Sequence, residues 1–274
     1  MKPQDIAPLG PDAPVILEMR HISKSFGAVT ALVDASIRLH RGEVLALVGD
    51  NGAGKSTLIK ILSGAVARNG GTISFEGQHV EITQPRDAKD LGIETVYQDL
   101  ALADNLDVAS NVFLGREMTK AGVLRFLLDN REMEQRSRSL LSRLKINIPN
   151  IRQRVRSMSG GQRQSIAIAR CVCFNARVVI LDEPTAALGV EETRKVYALI
   201  REMRDQGLAV LLISHNLNHV FENCDRITVL KTGRLVGSRR VVETTQDEIL
   251  RMIVSGVASE EPVAEDAPER VEMA

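Results

Sequence analysis

The chain has 274 residues, with 35 Lys and Arg balanced by 35 Asp and Glu, so its formal net charge is zero. This balance excludes broad electrostatic binding to nucleic acid, which needs a basic face, and 3% aromatic residues without Trp leave no platforms for stacking single strands. No apolar run reaches the roughly 20 residues of a membrane-spanning helix, and the segment after Met1 lacks the apolar core of a signal peptide. We therefore expect a cytoplasmic protein that binds no nucleic acid.

The first part of the chain predicts a leader followed by paired strands. Residues 1–13 hold three prolines and little periodicity, so we expect a loose leader before a domain over 14–255. Val15–His21 and Ala31–His40 are β-rich and partly alternating, which predicts an antiparallel pair.

A buried strand and a helix follow. Val44–Val48 is a continuous apolar run that ends at Gly49, a pattern typical of a strand buried on both faces. Lys55–Leu62 predicts a helix, and the pair Gly70-Gly71 predicts a turn.

The remaining elements are predicted from hydrophobic periodicity. A helical stretch from Asp107 to Arg170 buries Met133, Leu140, Leu141 and Leu144 on one face. The other predicted elements are strands at Ile93–Tyr97, Val178–Leu181 and Ala209–Ser214, a hairpin of Ile227–Lys231 with Arg234–Gly237, and helices at Glu191–Asp205 and Asp247–Val254.

Two further features concern the tail and the cysteines. The acidic residues of 256–274 cannot bury enough apolar surface to order themselves, so we expect a disordered tail. Three cysteines without framework spacing predict reduced, half-buried side chains rather than a metal site.

The stretch Gly49–Ser56 fits the pattern G-x-x-x-x-G-K-[ST] between a strand and a helix. The glycines permit a tight turn that aims backbone N–H groups at phosphate oxygens, beside the positive end of the helix. Lys55 is expected to reach the β- and γ-phosphates, and the Ser56 hydroxyl to bind Mg²⁺. The alternative is a glycine-rich turn that binds nothing. The predicted phosphate-binding residues are Gly49, Asp50, Asn51, Gly52, Ala53, Gly54, Lys55, Ser56 and Thr57.

An acidic pair follows the predicted strand Val178–Leu181. Asp182 and Glu183 lie at its carboxyl end, where ligands bind in open α/β sheets. Asp182 is placed to hold Mg²⁺, which leaves Glu183 to orient and deprotonate an attacking water. In isolation an Asp-Glu pair before Pro184 is as often a helix N-cap, but the matching P-loop favours the functional interpretation.

A third motif, Ser159-Gly160-Gly161-Gln162, precedes the acidic strand. Its serine and the following N–H groups form a second anion site at a helix start, although the tetrapeptide alone also fits an ordinary serine N-cap. The order of the three motifs resembles the ATP-binding cassette (ABC) family. The resemblance implies an α/β P-loop core with a mainly parallel sheet, an N-terminal antiparallel β subdomain and an inserted α-helical subdomain over about 99–170.

The same resemblance implies roles for three more residues. Gln98 matches the Q-loop glutamine that contacts Mg²⁺ or the attacking water, and His215 matches the switch histidine that bonds the γ-phosphate and positions Glu183. Phe26 matches the aromatic residue that stacks on adenine. Without that context, Gln98 is an ordinary surface residue, His215 is structural and Phe26 is a hydrophobic plug.

The family pattern also implies a second copy of the chain, bound head to tail, whose Ser159 segment faces the terminal phosphate held by the first copy. Two ATP molecules are then sandwiched between the chains. This sequence departs from the family at Gly189, where Asp is widespread. The change removes a carboxylate that often contacts the opposite subunit, which predicts altered coupling between the two sites.

Three segments resemble bacterial monosaccharide importers of the ribose, xylose and fructose type: Gly49–Gly54, Tyr97–Leu102 and Asn111–Glu117. Glu183–Val190 is most similar to fructose-type ATPases with a single cassette. The resemblance implies an ATP-hydrolysing subunit on the inner face of the cell membrane, bound to permease subunits and indirectly served by a sugar-binding protein. The alternatives are a non-transport ABC ATPase acting on DNA or ribosomes, and a catalytically silent, ATP-gated assembly module.

Overall fold

The computed structural model describes residues 14–122 and 125–257. The predicted leader 1–13 and residues 258–274 of the predicted acidic tail lie outside the described residues.

An antiparallel sheet is built from the N-terminal strands. β1 (Val15–Phe26) pairs with β2 (Val29–His40), and β4 (Gly70–Phe75) and β5 (Gln78–Val80) extend the sheet in the order β2-β1-β4-β5. The predicted antiparallel pair is thus confirmed, and its strands are longer than expected.

The predicted turn at Gly70-Gly71 is wrong, because both glycines open strand β4. Gly71 has a φ of +89°, and a Cβ there would lie 2.5 Å from the carbonyl oxygens of Arg20 and His21. The register of β1 against β4 shifts between Arg20 and Ser23. Glycine is therefore needed at position 71 because the backbones of β1 and β4 pass close together at a bulge, and the chain does not turn there.

A second sheet carries the parallel core, in the order β10-β9-β3-β8-β7-β6. All neighbours are parallel except the final antiparallel hairpin. Its strands are β3 (Val44–Val48), β6 (Ile93–Val96), β7 (Val178–Asp182), β8 (Ala209–Ile213), β9 (Arg226–Lys231) and β10 (Arg234–Arg240). The predicted strands and hairpin are confirmed, with ends that differ by at most three residues, and β3 matches at both ends.

Helices cover both faces of the parallel sheet. They are α1 (Lys55–Leu62), α2 (Pro85–Asp90), α3 (Val108–Val112), α4 (Asn130–Arg143), α5 (Gly160–Val172), α6 (Val190–Asp205), α7 (Leu217–Asn223) and α8 (Gln246–Ser255). Helices α3, α4 and α5 lie between β6 and β7 in the chain, and α3 packs against both α4 and α5, as the predicted fold class with an inserted helical part requires. The predicted apolar face of α4 is buried.

Strand β3 divides the core in two by simple alternation. Val44, Ala46 and Val48 join the cluster packed against the helical insertion, whereas Leu45 and Leu47 join the cluster with α1 and the antiparallel sheet. A strand with both faces covered reads as an unbroken apolar run, and all five residues are buried.

The described residues contain no helix with the length and apolar character that a bilayer crossing requires. The three cysteines are free, with Cys171 and Cys224 buried and Cys173 half-buried. Burial raises the pKa of the Cys171 thiol to about 12. Within 14–122 and 125–257, no three His, Cys, Asp or Glu side chains form a metal-binding group.

Candidate active site

The glycine loop Gly49–Ser56 leaves the carboxyl end of β3 and enters α1. Gly49 has a φ of +149°, and a Cβ there would lie 2.0 Å from the carbonyl oxygen of Leu230. Gly54, the N-cap of α1, has a φ of +107°, and its Cβ would lie 2.7 Å from the carbonyl oxygen of Ala31. The loop is therefore held tightly between β9 and β2, and glycine is required where it passes their backbones.

The loop is closed around the ammonium group of Lys55. Its Nζ donates to the carbonyl oxygens of Gly49 (2.7 Å) and Asp50 (2.9 Å). Burial lowers the pKa of Lys55, while the charges of Glu183, Asp50 and Asp182 act in the opposite direction. Helix α1 has neither a side-chain cap nor an acidic residue in its first turn. Its N–H groups and this ammonium therefore form a positive site suited to phosphate.

Asp182 ends β7 and lies within electrostatic reach of the loop. Burial, and then the charge of Glu183, raise the pKa of the Asp182 carboxyl, against the opposing effect of Lys55 and Lys60. The ionised form of a half-buried carboxylate beside a second one is strongly stabilised by a neighbouring cation. Mg²⁺ prefers one or two carboxylates together with phosphate oxygens. The donor set of Asp182 and Ser56 therefore fits Mg²⁺ held jointly by protein and nucleotide.

Glu183 follows directly and is oriented by its backbone and by a histidine. Its φ is +50°, a conformation rarely adopted by residues with a side chain, and its N–H donates to the carbonyl oxygen of Ile213 at 3.1 Å. The Nδ1 of His215 lies 2.7 Å from its Oε2. A backbone strained in this way costs about 1–3 kcal/mol, and such strain is common at functional sites. A carboxylate placed in this way has a defined orientation, which is what a general base requires.

Gln98 is exposed two residues beyond the end of β6. Its preceding neighbour Tyr97 donates its hydroxyl to Ser63 Oγ at 2.8 Å, and Ser63 caps the carboxyl end of α1. The Gln98 segment is thereby attached to the helix that follows the glycine loop.

Phe26 ends β1 and is 49% exposed, so its ring is not a plug in the core. Lys24 Nζ lies 5.0 Å from the ring centroid. Lys24 pairs with Leu32, whose Cδ2 lies 2.8 Å from the Cβ position of Gly54. Leu32 thus contacts the glycine loop. Phe26 lies two residues beyond Lys24, the partner of Leu32, or roughly 7 Å further along the strand.

The motif Ser159–Gln162 forms the start of α5. Ser159 Oγ accepts from the N–H of Gln162 (3.3 Å), and Gln162 Oε1 accepts from the N–H of Ser159 (3.1 Å), which is a capping box. Ser159 and Gly160 are exposed. Among the described residues, no hydrogen bond or ion pair joins this motif to the glycine loop. The structure brings Lys55, Asp182, Glu183 and His215 together, whereas the predicted anion-binding residues Ser159 and Gly160 are exposed and are not linked to them by any hydrogen bond or ion pair of the described residues.

Sequence reasoning missed Glu192, in the first turn of α6. A Cβ on Gly161 would lie 2.5 Å from Glu192 Cγ, and a Cβ on Gly189 would lie 3.0 Å from its Oε2. The only signal in the sequence is an acidic first turn after a glycine N-cap, which is an ordinary surface pattern.

A family model described as ABC transporter matches residues 32–186. A xylose/arabinose import ATP-binding protein of Sulfolobus acidocaldarius is 48% identical over 240 residues, covering 88% of this chain and 94% of that protein. A fructose import ATP-binding protein of Rhizobium meliloti is 50% identical over 223 residues, covering 80% of this chain and 86% of that protein. The chain belongs to the ABC transporter family, within its ATP-binding cassettes.

The solved structures agree with this assignment. A nucleotide-free ATP-binding cassette from an ABC transporter superimposes with a TM-score of 0.76 at 25% identity, covering 88% of this chain and 95% of that one. The predicted fold class is confirmed.

A ribose import ATP-binding protein of Geobacillus kaustophilus is 44% identical, and the chain spans 48% of its length.

Proposed function

We propose that this chain is the ATP-binding and ATP-hydrolysing subunit of a bacterial ABC importer for monosaccharides. The observation that carries the proposal is the grouping of Glu183, whose Oε2 lies 2.7 Å from His215 Nδ1, with the Lys55 ammonium inside the glycine loop. The import ATP-binding proteins for xylose/arabinose and fructose support the choice of sugar transport.

The reaction follows from the positions of these side chains. Residues 49–57, among them Lys55, hold the phosphates, and Phe26 stacks on the adenine. Glu183 accepts a proton from water, whose oxygen bonds to the γ-phosphorus while the bond to the bridging oxygen breaks and ADP leaves. A base of this kind contributes typically 10²–10⁴-fold to the rate. His215 orients the Glu183 carboxylate and bonds the terminal phosphate.

Magnesium has its own proposed ligands. Ser56, Gln98 and Asp182 hold Mg²⁺ together with the nucleotide. The ion neutralises phosphate charge when bound. The raised pKa of Asp182 supports this role, because a bound cation offsets both the cost of burying this charge and its repulsion by Glu183.

A second copy of the chain completes each site. Ser159, Gly160, Gly161 and Gln162 of one copy face the terminal phosphate bound by the other. The exposure of Ser159 and Gly160, whose motif makes no hydrogen bond or ion pair with the glycine loop among the described residues, supports a head-to-tail ATP sandwich. We further propose the domain limits 14–255, with the helical insertion over about 99–170. The subunit lies on the cytoplasmic face of the membrane, bound to permease subunits and indirectly supplied by a sugar-binding protein.

Two measurements test the proposal. The purified chain is expected to release phosphate from ATP with Mg²⁺ and to stop when the ion is chelated; a chain that binds ATP but releases no phosphate under any condition would contradict hydrolysis. Affinity purification from its own cells is expected to recover integral membrane permease subunits. Recovery of ribosomes or DNA instead would favour a non-transport ATPase.

A further inference from the structure

Glu192 lies where the first turns of α5 and α6 meet. A Cβ on Gly161 would lie 2.5 Å from Glu192 Cγ and 2.7 Å from its Cβ, so the stem of Glu192 fills the space beside that glycine. A Cβ on Gly160 would lie 3.0 Å from Leu188 Cδ2, which extends the same contact. Both glycines of the Ser159–Gln162 motif are thus packed directly against the segment that begins α6.

The carboxylate of Glu192 turns back toward the start of its own helix. Its Oε2 lies 3.0 Å from the Cβ position of Gly189, the N-cap of α6. An acidic group in the first turn is favoured by the helix dipole. The neighbouring Glu191 differs, because it is exposed and pairs with Arg194 at 3.0 Å. Glu192 therefore places a carboxylate beside residue 189, whose own side chain is absent.

We propose that Glu192 is a positioning residue for ATP hydrolysis across the two-chain interface, an inference that rests on the proposed function. Its stem joins the phosphate-facing start of α5 to the segment 184–189, which follows the general base Glu183. Displacement of either segment is transmitted to the other through this contact. The N–H groups offered to the partner's nucleotide are thereby aligned with the loop next to the chain's own catalytic base.

The first test compares Glu192→Ala with Glu191→Ala, which removes a carboxylate from the same helical turn without touching the motif. We expect Glu192→Ala to lower kcat about tenfold, since small misplacements are costly, while KM and the affinity of the isolated chain for a fluorescent ATP analogue stay at wild-type values. Glu191→Ala is expected to match wild type. Glu192→Gln, which keeps the stem, is expected to recover most of the rate. Equal kcat in the two alanine variants would overturn the proposal.

The second test uses the steric pair, in case Glu192→Ala fails to fold. Gly161→Ala is expected to prevent ATP-dependent dimer formation, measured by light scattering in a Glu183→Gln background, without loss of nucleotide binding. Adding Glu192→Gly removes both atoms within 3.0 Å of the new methyl group and is expected to restore the dimer. A double variant no better than Gly161→Ala would refute the contact. A wild-type chain without ATPase activity would instead count against the proposed function.

Discussion

Replacing Gly49 by alanine probes the close approach that forms the glycine loop. The new Cβ would lie 2.0 Å from the Leu230 carbonyl oxygen, whereas carbon–oxygen contacts are normally at least about 3.3 Å. The loop or β9 must therefore shift by about 1.3 Å. The positive φ adds roughly 1–3 kcal/mol, and overpacking typically adds 1–3 kcal/mol. We expect Gly49→Ala to lose about 2–6 kcal/mol of unfolding free energy.

Gly77 provides the matched control, because its φ is +77° and a Cβ there meets nothing within 4 Å. Gly77→Ala carries the backbone cost alone and lies in the β4–β5 turn. Urea unfolding measures the difference between the variants, and titration with an ATP analogue measures binding, which only Gly49→Ala is expected to lose. Equal destabilisation by both variants, or full nucleotide affinity in Gly49→Ala, would refute this reasoning.

The remaining predictions concern Glu183, Asp182 and His215. Glu183→Gln should lower kcat by about 10²–10⁴-fold with ATP affinity retained, and phosphate release at the wild-type rate would remove Glu183 from the mechanism. Because the folded pKa of Asp182 is raised, its ionised form opposes folding above that pKa and the penalty is relieved as pH falls toward the unfolded value. Asp182→Asn should therefore raise Tm without nucleotide at pH 7, by about 2–4 °C for each kcal/mol of penalty removed, yet abolish Mg²⁺-dependent turnover. A lower Tm would contradict the cost of burying this charge beside Glu183. His215→Ala should reduce kcat more than it changes KM, since Glu183 loses its orienting partner, and an unchanged kcat would exclude that role.

The strands of the parallel sheet could be predicted because both of their faces are buried. Val44–Val48 and Val178–Leu181 carry their burial in the sequence itself as unbroken apolar runs. The Gly70-Gly71 pair misled, because the backbone that requires Gly71 belongs to β1, which is distant in sequence. Strand β5 and helices α2 and α7 are too short to give a clear period.

The residues of the candidate site also fall into those that local sequence predicts and those that it does not. Lys55, Asp182 and Glu183 could be identified from spacing and from their place after buried strands. The role of His215 is predicted from the family resemblance alone, and the structure confirms only that His215 is a neighbour of Glu183. The contact of Glu192 with Gly161 could not be predicted, since it joins two helices and neither residue type carries a distinctive local signal.

In the proposed dimer, each ATP is held by the glycine loop of one copy and the Ser159 segment of another. Lys55→Ala and Ser159→Arg variants should each be inactive, because every site in either homodimer lacks one half. Mixing them should restore phosphate release, since a mixed dimer has one site with both halves intact. No recovery on mixing, or full activity of Ser159→Arg as a monomer, would contradict the account.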